Sequence, residues 1–204
     1  MKKIICYGDS NTYGFNTTDG TRFDENTRWT KILEKNIGEG DLIQEEGMNN
    51  RTGFVNNPDG FEFSAQRHFP KLMAKNKDTD ILVLAIGIND LQFLYDIGFK
   101  AIECGLEKLI ITGKNYVNRL ILIPPPILGE EILNSFFKIQ FDEASISKSK
   151  KIGKIYRKLA DVYSCEIFDI NDFQKPSQED GLHYNREAHQ IIGEKLAEFI
   201  RKGK

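Results

Sequence analysis

Ile81 to Ile86 reads Ile-Leu-Val-Leu-Ala-Ile, with no polar residue to mark a solvent face. A strand that is apolar on both faces must be covered on both faces, as in the middle of a parallel sheet. This run therefore asks for helices on either side of it, and the rest of the chain supplies them. Short β-rich runs at Lys3 to Tyr7, Leu42 to Gln44, Arg119 to Ile123 and Glu166 to Ile170 alternate with segments of helical period. Arg28 to Ile37 carries Trp29, Ile32, Leu33 and Ile37 on one stripe, with Asn26 or Thr27 as the expected N-cap and Trp29 expected in the core. Phe61 to Ala74 is expected to be helical, with Pro70 as a kink or break. Phe99 to Ile110, Ile146 to Tyr163 and Ala188 to Ile200 complete the helices, the last with Asn185 as N-cap.

Strands alternating with helices imply right-handed crossovers and a parallel sheet. The expected fold class is α/β: a flavodoxin-like three-layer α/β/α sandwich with a five-stranded parallel sheet in the order 2-1-3-4-5. The 204 residues show no linker, repeat or composition break, so residues 1 to 204 are expected to form one domain. A chain of this length buries about 70% of its unfolded surface and needs no metal or disulfide staple.

Charge excludes some partners. A formal net charge of −2 gives no footprint for nucleic acid, and the run Lys148-Ser149-Lys150-Lys151 reads as a solvated helix face. The apolar runs are too short to span a bilayer. The apolar stretch behind Lys2 and Lys3 stops at Gly8, too early for a signal peptide, so a cytoplasmic location is expected. Three cysteines, Cys6, Cys104 and Cys165, are widely spaced and are expected as buried thiols in a reducing compartment. No His, Cys and Asp cluster has metal-ligand spacing, so neither a metal nor a cofactor is expected.

In open parallel sheets function lies at the carboxyl ends of the strands. Those ends carry Gly8-Asp9-Ser10-Asn11-Thr12, Glu46-Gly47-Met48-Asn49-Asn50 and Gly87-Ile88-Asn89-Asp90, and, beyond strand five, Asp180-Gly181-Leu182-His183. Together they hold a hydroxyl, an imidazole, a carboxylate and several amide donors, the parts required for acyl transfer.

These blocks, in this order, resemble the GDSL or SGNH esterase/lipase superfamily over essentially the whole chain. Arg28-Trp29-Thr30, Glu46-Gly47, Asn50-Arg51-Thr52 and Asp180-Gly181-Leu182-His183 are similar to its arylesterase/acyltransferase branch. DxxH alone fixes two residues and carries little. The weight lies in the conjunction of motifs, each after the strand it should follow. The resemblance implies Ser10 as nucleophile, His183 as base and Asp180 as its orienting carboxylate. The implied oxyanion donors are the Ser10 and Gly47 backbone N–H groups and the Asn89 side chain. It implies a small-molecule ester as substrate, small acyl groups such as acetyl, and allows a homo-oligomer. Where the family usually has an apolar residue after the serine, this chain has Asn11, expected with Tyr13, Phe15 and Leu182 around the substrate pocket.

Plainer readings stand beside these. Ser10 fits a helix N-cap, Gly47 a turn glycine and Asn89-Asp90 turn chemistry. Asp90 is expected as a loop brace and Asp9 as structural, since a residue adjacent to the nucleophile points away from it. His68 and His189, inside helices, are expected at the surface or half-buried. Residues 127 to 141, with Phe136, Phe137, Ile139 and Phe141, are too apolar for a free loop; they suit a cap over the site, an oligomer contact or core packing alike. The competing functions are an acyltransferase, thioesterase or lysophospholipase on the same site. A separate class is a nucleotide- or flavin-binding module with phosphate at the helix after strand one. That module has no GxGxxG and leaves Asp180 and His183 without a role.

Overall fold

The computed structural model describes residues 1–203. Five parallel strands form one sheet: β1 (Lys3–Gly8), β2 (Leu42–Gly47), β3 (Ile81–Ala85), β4 (Arg119–Leu122) and β5 (Glu166–Ile167). Their order is β2-β1-β3-β4-β5, as expected. The register sets Gly8 beside both Gly47 and Ala85, so the strand ends that carry the motifs meet at one rim.

Alternation along the strands assigns residues to two cores. Ile5 and Tyr7 of β1, with Leu82 and Leu84 of β3, pack under α3 (Ala65–Lys75), α4 (Phe99–Lys114) and α5 (Glu143–Tyr163). Ile4, Cys6, Ile81 and Val83 face the opposite way, against α2 (Trp29–Ile37) and α6 (Arg186–Lys202). The side-chain period of two thus feeds both faces of each central strand, which is why β3 has no polar face. Trp29 lies in the second core.

Several local boundaries differ from the sequence expectation, each for a physical reason. Helix α2 starts at Trp29, and neither Asn26 nor Thr27 caps it. Its first N–H donates instead to Nδ1 of His189, 160 residues away in sequence. His189 is therefore fully buried rather than at the surface. Helix α3 starts at Ala65, because Phe61 to Ser64 turns and Ser64 bridges to Thr52; Pro70 sits inside the helix without ending it. Strand β5 is two residues long: Asp169 accepts the Asn171 N–H and opens a 3-10 helix, Ile170–Asp172. Asn185 caps α6 through the Ala188 N–H at 2.9 Å, as expected. Of the cysteines only Cys6 is buried; Cys165 is half-buried and Cys104 exposed, on the outer surface of α4. No helix among the described residues is long and apolar enough to cross a membrane.

Candidate active site

Strand β1 ends at Gly8 and the chain enters a single helical turn, α1 (Ser10–Tyr13). Asp9, not Ser10, is its N-cap: the Asp9 carboxylate accepts the Asn11 N–H at 3.1 Å. Asp9 is buried, and burial pushes its carboxyl up to about 7 against that hydrogen bond. The Ser10 hydroxyl is left to turn toward His183, with Oγ 2.8 Å from Nε2.

His183 sits on a tight turn after Asp180. Gly181 adopts a left-handed φ of 67°, and a Cβ there would lie 2.8 Å from the Gly129 carbonyl oxygen, so only glycine suits the bend. The turn lets one Asp180 oxygen accept the N–H groups of Leu182 and His183, both at 2.9 Å. The other oxygen lies 2.6 Å from His183 Nδ1. A carboxylate can only accept, so the imidazole proton is assigned to Nδ1 and the Nε2 lone pair faces the serine hydroxyl. The chain of contacts is hydroxyl, imidazole, carboxylate, with Ser10, His183 and Asp180 each at most 6% exposed.

Gly47 ends β2, and it is more than a turn glycine. A Cβ there would lie 2.2 Å from the Tyr13 nitrogen and 2.5 Å from the Thr12 carbonyl carbon. The backbone of α1 rests directly on Gly47. Asn89 opens a 3-10 helix after β3 and is 5% exposed. Its Nδ2 donates to the Arg51 carbonyl at 3.0 Å, and its Oδ1 accepts from Gln92 at 3.3 Å. An amide nitrogen carries two N–H groups, so one donor of Asn89 is not taken by Arg51.

Asp90 is fully buried and braces the loop, accepting the N–H groups of Gly53, Phe54 and Val55 at 2.6, 2.7 and 2.9 Å. Burial pushes its carboxyl up to about 7 although the three donors pull the other way. Arg51 is also buried, and its guanidinium donates to the carbonyls of Gly8, Glu46 and Glu62. It ties the ends of β1 and β2 together, a role its motif did not disclose.

The expected pocket residues separate. Phe15 lies beside the imidazole, its centroid 4.6 Å from that of His183. Tyr13 turns its ring under the Arg22 guanidinium, 4.7 Å away. Leu182 is 2% exposed and belongs to the core, so it is not an open pocket wall. Asn11 is 8% exposed, and its amide donates to the Leu182 carbonyl and accepts the Tyr184 N–H. Phe137, from the segment read as a cap over the site, an oligomer contact or core packing, has its ring 5.0 Å from His183 and edge-on to Phe15. It comes from residues 127 to 141, which combine two roles: Leu128, Ile132 and Phe141 are core, while Phe137 reaches the site and Phe136 and Ile139 are exposed.

His68 is half-buried, with Nδ1 3.3 Å from the Tyr7 hydroxyl. An open cleft of about 580 Å³ along Asn171–Gln178 and the start of α6 touches neither Ser10 nor His183. Among the described residues no group of three His, Cys, Asp or Glu side chains converges as a metal site would require.

This arrangement of a hydroxyl backed by an imidazole and a carboxylate, beside amide donors, suits acyl transfer. The family model for GDSL-like Lipase/Acylhydrolase matches residues 4–196. The chain belongs to that family. It is a carboxylic-ester hydrolase, and the family acts on small-molecule esters. Similar solved structures include a carbohydrate acetylesterase family member from Sinorhizobium meliloti, with TM-score 0.89, 26% identity, and 99% of this chain and 98% of that one covered. The inhibitor-bound M. smegmatis aryl esterase aligns with TM-score 0.89 and 25% identity over 99% of both chains. Est24, a carbohydrate acetylesterase from Sinorhizobium meliloti, is similar in fold, with TM-score 0.90 and 24% identity over 99% of both chains. No curated protein matches the chain.

Proposed function

We propose that this GDSL hydrolase is a serine esterase that removes small acyl groups such as acetyl through a Ser10 acyl-enzyme. The observation that carries the reading is the line from Ser10 Oγ to His183 Nε2 to Asp180, with contacts of 2.8 and 2.6 Å. Ser10 Oγ attacks the ester carbonyl while its proton passes to Nε2. The developing imidazolium is held by Asp180, and the oxyanion by the Ser10 and Gly47 N–H groups and the free N–H of Asn89. Collapse breaks the bond to the leaving alkoxide, which takes the proton from His183. Water then repeats the sequence on the acyl-enzyme and releases the acid.

Phe15 and Phe137 lie beside the imidazole, their ring centroids 4.6 and 5.0 Å from its own, where they would bound an acyl group carried by Ser10. One of the similar structures is a carbohydrate acetylesterase family member, which supports acetyl as the acyl group to test first. If water is excluded from the site, an alcohol in excess can intercept the acyl-enzyme and turn hydrolysis into acyl transfer. A phosphate-binding module is disfavoured by Asp9, whose carboxylate occupies the helix start where a phosphate would sit.

The test is turnover of p-nitrophenyl acetate, butyrate and octanoate, followed by acetylated sugars. Rates that fall steeply with chain length are expected. Octanoate turned over as fast as acetate would contradict the small-acyl reading.

A further inference from the structure

Every polar atom of Asn11 has a partner. Its N–H donates to Asp9 and its carbonyl accepts Nε1–H of Trp29 at 3.0 Å. Its side chain reaches across to the loop that carries the base. Nδ2 donates to the Leu182 carbonyl at 3.2 Å, and Oδ1 accepts the Tyr184 N–H at 3.1 Å. These are the carbonyl before His183 and the N–H after it. A residue in a parallel sheet bonds its neighbour strand in the same way, through the carbonyl of one residue and the N–H two residues on. The Asn11 amide therefore imitates a strand edge and holds both peptide planes that flank His183.

We propose that Asn11 is a positioning residue that fixes the distance and angle between Ser10 Oγ and His183 Nε2 by clasping the backbone on both sides of the imidazole. The proposal rests on Ser10 as nucleophile and His183 as base. Ser10 and Asn11 are neighbours on one helical turn, so any slip of the clasp moves the hydroxyl against the imidazole. Asp180 orients the ring from within its own loop. Asn11 ties that loop to the nucleophile, a link Asp180 does not make. The site presents one acceptor and one donor, and the two ends of an amide meet both at once. Leu182 and Tyr184 are 2% and 3% exposed, so water does not readily replace the clasp.

The test uses two readouts on Asn11→Ala, Asn11→Asp, Ser10→Ala and the unaltered enzyme, each normalised to its folded fraction. The first is kcat and KM on p-nitrophenyl acetate. The second is the rate of stoichiometric p-nitrophenolate release from diethyl p-nitrophenyl phosphate. There Ser10 Oγ bonds to phosphorus, the aryl oxide leaves, and the serine proton goes to His183.

Misplacement of reacting groups by about 1 Å costs up to about a hundredfold. Asn11→Ala is expected to lower kcat and the phosphorylation rate together by that factor, with KM changed less than about twofold. Asn11→Asp keeps the acceptor for Tyr184 and loses the donor to Leu182, so it also slows both; it decides the matter alone where the alanine variant does not fold. A raised KM with kcat and phosphorylation unchanged would make Asn11 a pocket residue and overturn the proposal. A lower melting temperature with both rates intact would make it merely structural, with the same consequence. Phosphorylation of Ser10→Ala at the unaltered rate would overturn the nucleophile assignment itself, a failure distinct from that of Asn11.

Discussion

Gly47 and Tyr13 stand in backbone contact: a Cβ on the glycine would lie 2.2 Å from the tyrosine nitrogen. Tyr13 ends the helical turn that begins at Ser10. The strand end proposed to offer a backbone N–H to the oxyanion therefore also seats that turn. Gly47→Ala must push α1 off β2. Its expected effect is a loss of about a hundredfold in kcat/KM and roughly 1–3 kcal/mol of stability. Steady-state kinetics and denaturant melts check both, and unchanged activity would show that α1 is free to shift without disturbing the reaction.

Asn89 offers a second donor that Arg51 leaves free. Asn89→Ala removes the donor proposed for the oxyanion and is expected to lower kcat by about 10²–10³, with little change in KM. A rise in KM alone would mean that Asn89 binds ground-state substrate and not the transition state.

Phe137 meets His183 directly, whereas its neighbour Phe136 is 75% exposed. Phe137→Ala is expected to raise the octanoate-to-acetate rate ratio roughly tenfold, a scale set by a few methylenes in an apolar pocket. Phe136→Ala is the control and should leave the ratio alone. Equal effects from the two would remove Phe137 from the acyl pocket.

His189 makes stability depend on pH. Burial, with lesser contributions from His183 and Arg28, lowers its imidazole from 6.5 to about 3. Its Nδ1 accepts the first N–H of α2, so the folded protein holds it neutral. Between those values the unfolded chain binds the proton and the folded one does not. The contribution is complete above pH 6.5 and is lost as pH falls toward 3, with an upper bound of roughly 5 kcal/mol. Asp9 and Asp90 act in the opposite sense, since both are raised to about 7 and favour the folded state at lower pH. The comparison of the unaltered protein with His189→Asn, which keeps an acceptor for Trp29, isolates the histidine. Denaturant melts from pH 7.5 to 4.5 should show the variant losing less stability on acidification; parallel curves would contradict the burial argument.

The strands, the helices between them and the strand ends that carry the motifs were legible in the sequence because they rest on short-range periodicity, and the sheet order followed from the fold type that this alternation suggests. Ile81 to Ile86 alone demanded cover on both faces, whereas the division of Ile4 and Cys6 from Ile5 and Tyr7 in β1 emerges from the packing. The differences arise where the partner is distant in sequence. The cap of α2 comes from His189, so no residue near Trp29 announces it. The partners of Asn11 at 182 and 184 are 171 and 173 residues away in sequence, so nothing near it announces the contacts. Phe137 is one phenylalanine among several in its segment, and only the fold brings it, and not Phe136, to His183.

Ser10 as nucleophile is the assignment on which the proposed chemistry depends. It is tested by hydrolysis of p-nitrophenyl acetate by the unaltered enzyme and by Ser10→Ala, with melting temperatures recorded for both. Turnover is expected to fall by at least about 10³-fold in the variant while the fold persists. Residual activity above about a tenth from folded Ser10→Ala would contradict the assignment, because a triad without its hydroxyl has no covalent route to the ester.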